Sequence, residues 1–310
     1  SLNSSSSRGV HGSLGIVKPD VAAPGTLTSS ASSGSGTGRS TKSGTSMATP
    51  HVAGIAALVA GEHPDWGVTQ IKAAVMNTAT HDVYSGLNQT GAVYGPERVG
   101  SGRVDALDAT RAELLAWATD DPSLVSVTFG VVPVGATTVV QERTVTVTNT
   151  GGSARDVATS FDQATSAGGA TITTSPASLT LPAGGSAQVT LTLTADPATL
   201  AKDLDPTSVA TYDLGVDIPR DHVATLSGRL VLTPSGGPEL RVPVQAAPRL
   251  VSDLSAAPVA FADELATATP LTLAGRGVDS GGWTSLVAPF VLTGESPVLE
   301  EDTSTTSASS

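Results

Sequence analysis

The chain has 310 residues, no cysteine, and 28 Asp plus Glu against 16 Lys plus Arg, for a formal charge of −12. That length provides one sizeable core and room for a second domain. The lack of cysteine excludes disulfides and thiolate metal sites, the acidic balance without any basic run argues against a nucleic-acid partner, and no apolar run reaches membrane-spanning length.

The first ordered signals are two short loop-like stretches, SSRG (Ser6 to Gly9) and KPDVAAPG (Lys18 to Gly25). The run SGTSMATPHVAGIAALVAGEHPDW follows, from Ser43 to Trp66. From Met47 to Ala60 it is apolar on nearly every face, which predicts a buried central helix ending near Gly61. Pro50, four residues after Ser46, leaves the Ser46 carbonyl without its usual intrahelical partner if the helix starts at the serine. Gly44, Thr45, Ala48 and Gly54 are small enough for backbone or a ligand to approach closely. Ser46 is thereby expected to stand exposed at a helix N-terminus, where amides favour a developing oxyanion and a hydroxyl can attack a carbonyl if a base is near. Gly67 is expected to cap a second helix with Val68, Ile71, Val75 and Ala79 at helical spacing, stopped by NTAT. An amphipathic end piece, DALDATRAELLAW, closes the region near Trp117.

After ATDDP the texture changes to valine- and threonine-rich runs separated by Gly, Pro, Asn and Asp. LVSVTF, RTVTVTNT, ATITT, AQVTLTLT, VATYDLGVDI, HVATLSGRLVLT and LRVPVQ read as about seven short strands. They predict an antiparallel sandwich of fibronectin type III kind, without the cysteine pair and packed tryptophan of an immunoglobulin domain. From about Pro248 the chain is rich in alanine, proline and serine. One ordered-looking patch, GRGVDSGGWTSLVAPFVL, carries Trp283 and Phe290, and the tail EEDTSTTSASS reads as disordered.

The run Gly44-Thr45-Ser46-Met47-Ala48-Thr49-Pro50-His51-Val52-Ala53-Gly54 resembles, residue for residue, the nucleophile signature of the subtilisin-like serine proteases, the subtilases. SSRG and KPDVAAPG precede it in the family's order, and HPDWGVTQIKAAVMNTA and GSGRVDA resemble the helix and closing segment that come after it. The resemblance covers roughly residues 1 to 118, and in combination these motifs are highly specific. It implies a secreted, extracellular serine endopeptidase acting on polypeptides, with Ser46 as nucleophile. It also implies a triad running Asp, His, Ser along the chain.

Both triad partners and the oxyanion asparagine are therefore expected upstream. The 45 residues before Ser46 hold only His11 and Asp20, in the wrong order and outside any D-x-G or H-G-T-H setting, and Asn3 has no matching context. The chain, whose first residue is Ser1, is expected to be a C-terminal piece of a longer protease, inactive by itself and without a signal peptide. Asp20 reads as a structural, hydrogen-bonded carboxylate. His51, five residues past Ser46, points away from the serine and reads as a packed helix residue. His63, His81 and His222 read as surface or turn histidines with no acid partner at metal-ligand spacing. The sequons at Asn3 and Asn88 read as chance matches in a Ser/Thr-rich chain.

No cofactor is required on this reading, and the structural calcium known in the family has no legible ligand set here. The expected organisation is α/β catalytic-domain sequence over 1–118, an all-β sandwich over 119–247, and a linker with a partly ordered segment over 248–310. The sandwich is expected to act as a stabilising spacer or to contact substrate or cell-wall polymer. The competing reading is a non-catalytic binding or structural fragment built around the sandwich.

Overall fold

The computed structural model describes residues 1–9, 16–213, 215–219, 225–259, 262–263 and 267–286. His11, His222, Phe290 and the EEDTSTTSASS tail lie outside these described residues.

Strands dominate. A hairpin of β1 (Thr28–Ala31) and β2 (Arg39–Lys42) precedes α1 (Thr45–Glu62), α2 (Val68–Asn77) and two short helices, α3 (Pro96–Val99) and α4 (Ala106–Thr110). Then come β3 (Leu114–Ala118), β4 (Val127–Val134), β5 (Val139–Asn149), β6 (Arg155–Thr165), β7 (Ala170–Ser175), β8 (Ser178–Leu181) and β9 (Ser186–Ala195). A small hairpin of β10 (Thr211–Asp213) and β11 (Asp217–Pro219) leads to β12 (Leu226–Pro234) and β13 (Leu240–Leu250).

Two sheets carry the sandwich. One has the order β4-β13-β12-β6-β8, with β4 parallel to β13, and the other has the order β3-β5-β9-β7. Alternation builds the core between them: Val189, Leu191 and Leu193 on β9 face Leu226, Leu230 and Leu232 on β12 within one buried cluster. β12 is a buried strand on both faces, because Ser227, Arg229 and Val231 point the other way and are also covered. What covers that face is the helical segment: α3 packs against β12 and β13, and α2 against β13.

Three strands of the sandwich escape the sequence pattern. β6 (RDVATSFDQAT) and β8 (SLTL) have too few apolar side chains to register as alternation, and β3 (LLAWA) falls within the amphipathic end piece. β3 pairs with β5, Leu114 opposite Asn149 through Ala118 opposite Val145, so the expected boundary at residue 118 falls at the end of a sandwich strand. Its side chains divide between two cores: Leu114 and Ala116 enter the sandwich, and Leu115 enters the cluster formed by α1, α2 and α4. A piece begun at Thr119 instead of Glu113, both ending at Leu250, is expected to lose about 2 to 4 kcal/mol, from the lost burial of Leu114 and Ala116 and an unpaired β5 edge. Urea melts of the two pieces check this; equal midpoints would contradict it.

The predicted central helix forms, but it is not buried all round. Only Val59 of α1 is buried, Ala53 and Gly54 are exposed, and Leu58 is 58% exposed. Val52, Ile55, Ala56 and Val59 make one stripe against α2 and its neighbours, and among the described residues nothing covers the opposite side. The second helix starts as expected on Gly67, whose N–H donates to Gln70 Oε1 at 3.0 Å. Beyond β13, the hairpin Asp279–Ser280 with Trp283–Thr284 sets Trp283 against the sandwich core, with Lys202 Nζ 5.7 Å from the ring centroid. Among the described residues no helix is long and apolar enough to cross a membrane.

Candidate active site

Ser46 lies in the first turn of α1, and its residue is exposed. The turn is held by close backbone packing. Gly44, the helix N-cap, has φ 150°, which favours glycine. Its N–H donates to Gly25 O at 2.8 Å, and a Cβ on Gly25 would lie only 2.7 Å from Gly44 O. The last glycine of KPDVAAPG and the first of GTSMATPH are thus matched surfaces. Ser43 Oγ accepts the Leu27 N–H at 2.8 Å, which ties the hairpin to the same turn.

Gly44 makes no side-chain cap, so no side chain caps the first N–H groups of α1 at the positive end of the helix dipole, and the Met47 N–H donates to Gly44 O at 3.0 Å. Thr49 Oγ1 donates to Thr45 O at 3.1 Å, and Pro50 sits inside the helix, where it can give the Ser46 carbonyl no N–H. An open cavity of about 680 Å³ runs between the hairpin and Met47, Pro50 and His51. A second, of about 690 Å³, runs along Thr45, Ala48, Thr49 and Val52 toward Asp20 and Arg103. Ser46 lines neither.

None of the other sequence candidates reaches the serine. His51 is exposed rather than packed, because its side of α1 is the uncovered one, and its Nδ1 lies 2.8 Å from Met47 O. His63 stacks on Trp66 with ring centroids 3.7 Å apart, and its Nε2 lies 2.9 Å from Thr110 O. Asp20 pairs with Lys18 Nζ at 2.7 Å. Asn3 is tied to Thr26, and Asn88 is exposed on a turn at φ 53°. Among the described residues no histidine or carboxylate is hydrogen-bonded to Ser46.

His81 is exposed, as a surface histidine should be, and its acid partner lies outside any metal-ligand spacing. Its Nε2 lies 2.9 Å from Asp105 Oδ2, while Asp105 Oδ1 accepts from the N–H groups of Leu107 and Asp108 and caps α4. The Asp108 N–H and then the His81 ring hold the Asp105 carboxyl below its ordinary value. The two lie 24 residues apart, and no spacing rule links them. Among the described residues no group of three or more His, Cys, Asp or Glu could hold a metal ion.

The family model of the subtilase family matches residues 1–102. Over that stretch the chain is similar to the subtilases. The minor extracellular protease Vpr of Bacillus subtilis (strain 168) is 38% identical over 114 residues, 36% of this chain and 14% of that protein. The subtilisin-like protease SBT2.6 of Arabidopsis thaliana is 51% identical over 73 residues, 21% of this chain and 9% of that protein. The CO(2)-response secreted protease of Arabidopsis thaliana is 34% identical over 118 residues, 34% of this chain and 15% of that protein. The chain spans less than a sixth of the length of each of these relatives. Among solved structures, the ASH / PapD-like domain 7 of human CEP192 is similar at a TM-score of 0.27 and 12% identity, over 45% of this chain and 87% of that one. The periplasmic chaperone SfaE is similar at a TM-score of 0.23 and 12% identity, over 44% and 57%. At such scores the likeness assigns nothing further.

The subtilase-like segment and the sandwich share a polar junction that the sequence does not signal. Buried Glu97 accepts from Ser227 Oγ at 2.9 Å, and Ser227 also meets Thr165 Oγ1 at 2.6 Å. Arg8 Nη1 reaches Asp205 at 2.5 Å and lies 3.7 Å from Glu97 Oε1. Arg241 pairs with Asp82 at 2.6 Å, and Asn77 bridges Arg241 O and the Ala116 N–H.

Burial pushes the Glu97 carboxyl above its ordinary 4.5, against the pull of its hydrogen bonds and of Arg8. A raised acid favours the fold below the unfolded-state value, and that contribution is lost as pH rises through the folded-state value. Glu97→Gln keeps a hydrogen-bonding partner for Ser227 and carries no charge. It is expected to melt at or above the wild-type temperature at pH 8, with the gap closing by pH 4. A variant that melts well below wild type at pH 8 would show that the Arg8 attraction outweighs burial.

Proposed function

We propose that this chain is the C-terminal part of the catalytic domain of a secreted, extracellular subtilisin-like serine endopeptidase, followed by a β-sandwich of fibronectin type III kind. The subtilase part belongs to an α/β domain and runs to about Glu113, and the sandwich runs from Leu114 to Leu250. Ser46 is the nucleophile. Its Oγ attacks the peptide carbonyl of a polypeptide substrate, and an upstream histidine takes that proton and returns it to the leaving amine. An upstream aspartate orients the histidine, and an upstream asparagine helps the helix amides hold the oxyanion. The acyl-enzyme on Ser46 is then released by water.

The observation that carries this reading is the tight Gly25–Gly44 turn, which presents an exposed serine hydroxyl at the start of an 18-residue helix. A structural helix start has no need of an uncapped first turn beside a proline and a bare serine. The upstream reading frame tests it: D-x-G, then H-G-T-H, then an asparagine are expected in that order. A frame without them would favour the non-catalytic reading built on the sandwich.

A further inference from the structure

Arg229, on β12 of the sandwich, is completely removed from solvent. Among the described residues no carboxylate lies within ion-pair distance of it, and burial pushes its guanidinium down to about 10. A lone buried cation is costly, and an apolar side chain of similar size would pack there at lower cost. What the guanidinium does instead is donate from Nε to Ser101 O at 2.7 Å and from Nη2 to Tyr94 O at 3.0 Å. Both carbonyls belong to the subtilase-like segment, and a planar fork can meet two fixed acceptors at once where an ammonium cannot.

Ser101 also stands at one end of a run of backbone hydrogen bonds. The Ser101 N–H donates to Asp20 O at 3.1 Å, the Ala22 N–H to Gly102 O at 2.8 Å, and the Val104 N–H to Ala22 O at 3.0 Å. Three residues past Ala22, Gly25 receives the Gly44 N–H, and the Met47 N–H donates to Gly44 O at 3.0 Å. Ser46 sits between those last two residues. We propose that Arg229 is a positioning residue for Ser46, by which the sandwich fixes the loop that carries the first turn of α1. The proposal rests on Ser46 being the nucleophile, and it gives the sandwich a part in the reaction beyond that of a spacer.

The test is hydrogen exchange, read by mass spectrometry on the 310-residue chain, for Arg229→Met and Arg229→Lys. Peptides covering 19–25, 43–48 and 98–104 are expected to exchange at least about tenfold faster in Arg229→Met, with a smaller effect in Arg229→Lys and none over 186–195. Unchanged exchange at 43–48 would overturn the proposal. So would a uniform rise that includes 186–195 in both variants, since Arg229 would then hold the whole fold and not this loop. In the parent protease, turnover per phosphonate-titrated serine is expected to fall with KM unchanged. Fewer titratable sites with normal turnover at each would reduce Arg229 to a structural residue and overturn the proposal. If the wild-type parent is not labelled at Ser46 at all, it is the protease reading that fails, and the exchange result still decides whether Arg229 holds the loop.

Discussion

Ser46→Ala in the parent protease is expected to abolish peptide hydrolysis and to leave the melting temperature where it was. Loss of the nucleophile of a Ser-His-Asp triad costs about six powers of ten in turnover, or roughly 8 kcal/mol, the size of loss measured in subtilisin. The stability side of the prediction comes from the structure. Ser46 is exposed, the N-cap is Gly44, and no cap hydrogen bond is made there by a side chain. Removal of the hydroxyl therefore strands no buried group, and alanine is the better helix former, so the change in stability is expected within about 0.5 kcal/mol. A turnover number beside a melting curve decides it. Retained hydrolysis would make the serine an ordinary helix residue.

The 310-residue chain alone is expected to hydrolyse unfolded casein at no measurable rate. His51, His63 and His81 are each committed elsewhere, to Met47 O, Thr110 O and Asp105, and none is hydrogen-bonded to Ser46. Among the described residues none is placed as a base for Ser46, and a serine without a base keeps its proton and is a weak nucleophile at neutral pH. The expected deficit against the parent is again about six powers of ten. Casein hydrolysis that survives purification and disappears in Ser46→Ala would show that a base is present within the chain.

The local setting of the proposed nucleophile was legible in the sequence. Gly44, Ser46 and Pro50 lie within two helical turns, and an exposed serine at a helix start follows from them directly. Strands with dense alternation, such as AQVTLTLT, were equally plain, because every second residue is buried. Three things were not legible. Burial of α1 depends on what covers each face, and the uniform apolar run of Met47 to Ala60 does not say that only the Val52, Ile55, Val59 side is packed. β3 carries a helix-like sequence and becomes a strand through pairing with β5, a tertiary effect that local propensity does not predict. The junction joins residues more than a hundred positions apart, such as Glu97 to Ser227 and Arg229 to Ser101, and no local pattern marks them. Arg229 in particular looks like a solvent-facing charge in SGRLVLT, and only a second layer on β12 reverses that.

The most direct measurement of the central claim is covalent labelling of the intact parent protease with an organophosphonate, followed by mapping of the modified peptide. The account predicts one adduct per molecule, on Ser46, absent in Ser46→Ala and absent when the 310-residue chain is treated alone. An adduct on a different serine of the parent, or none under conditions where the parent cleaves casein, would contradict it.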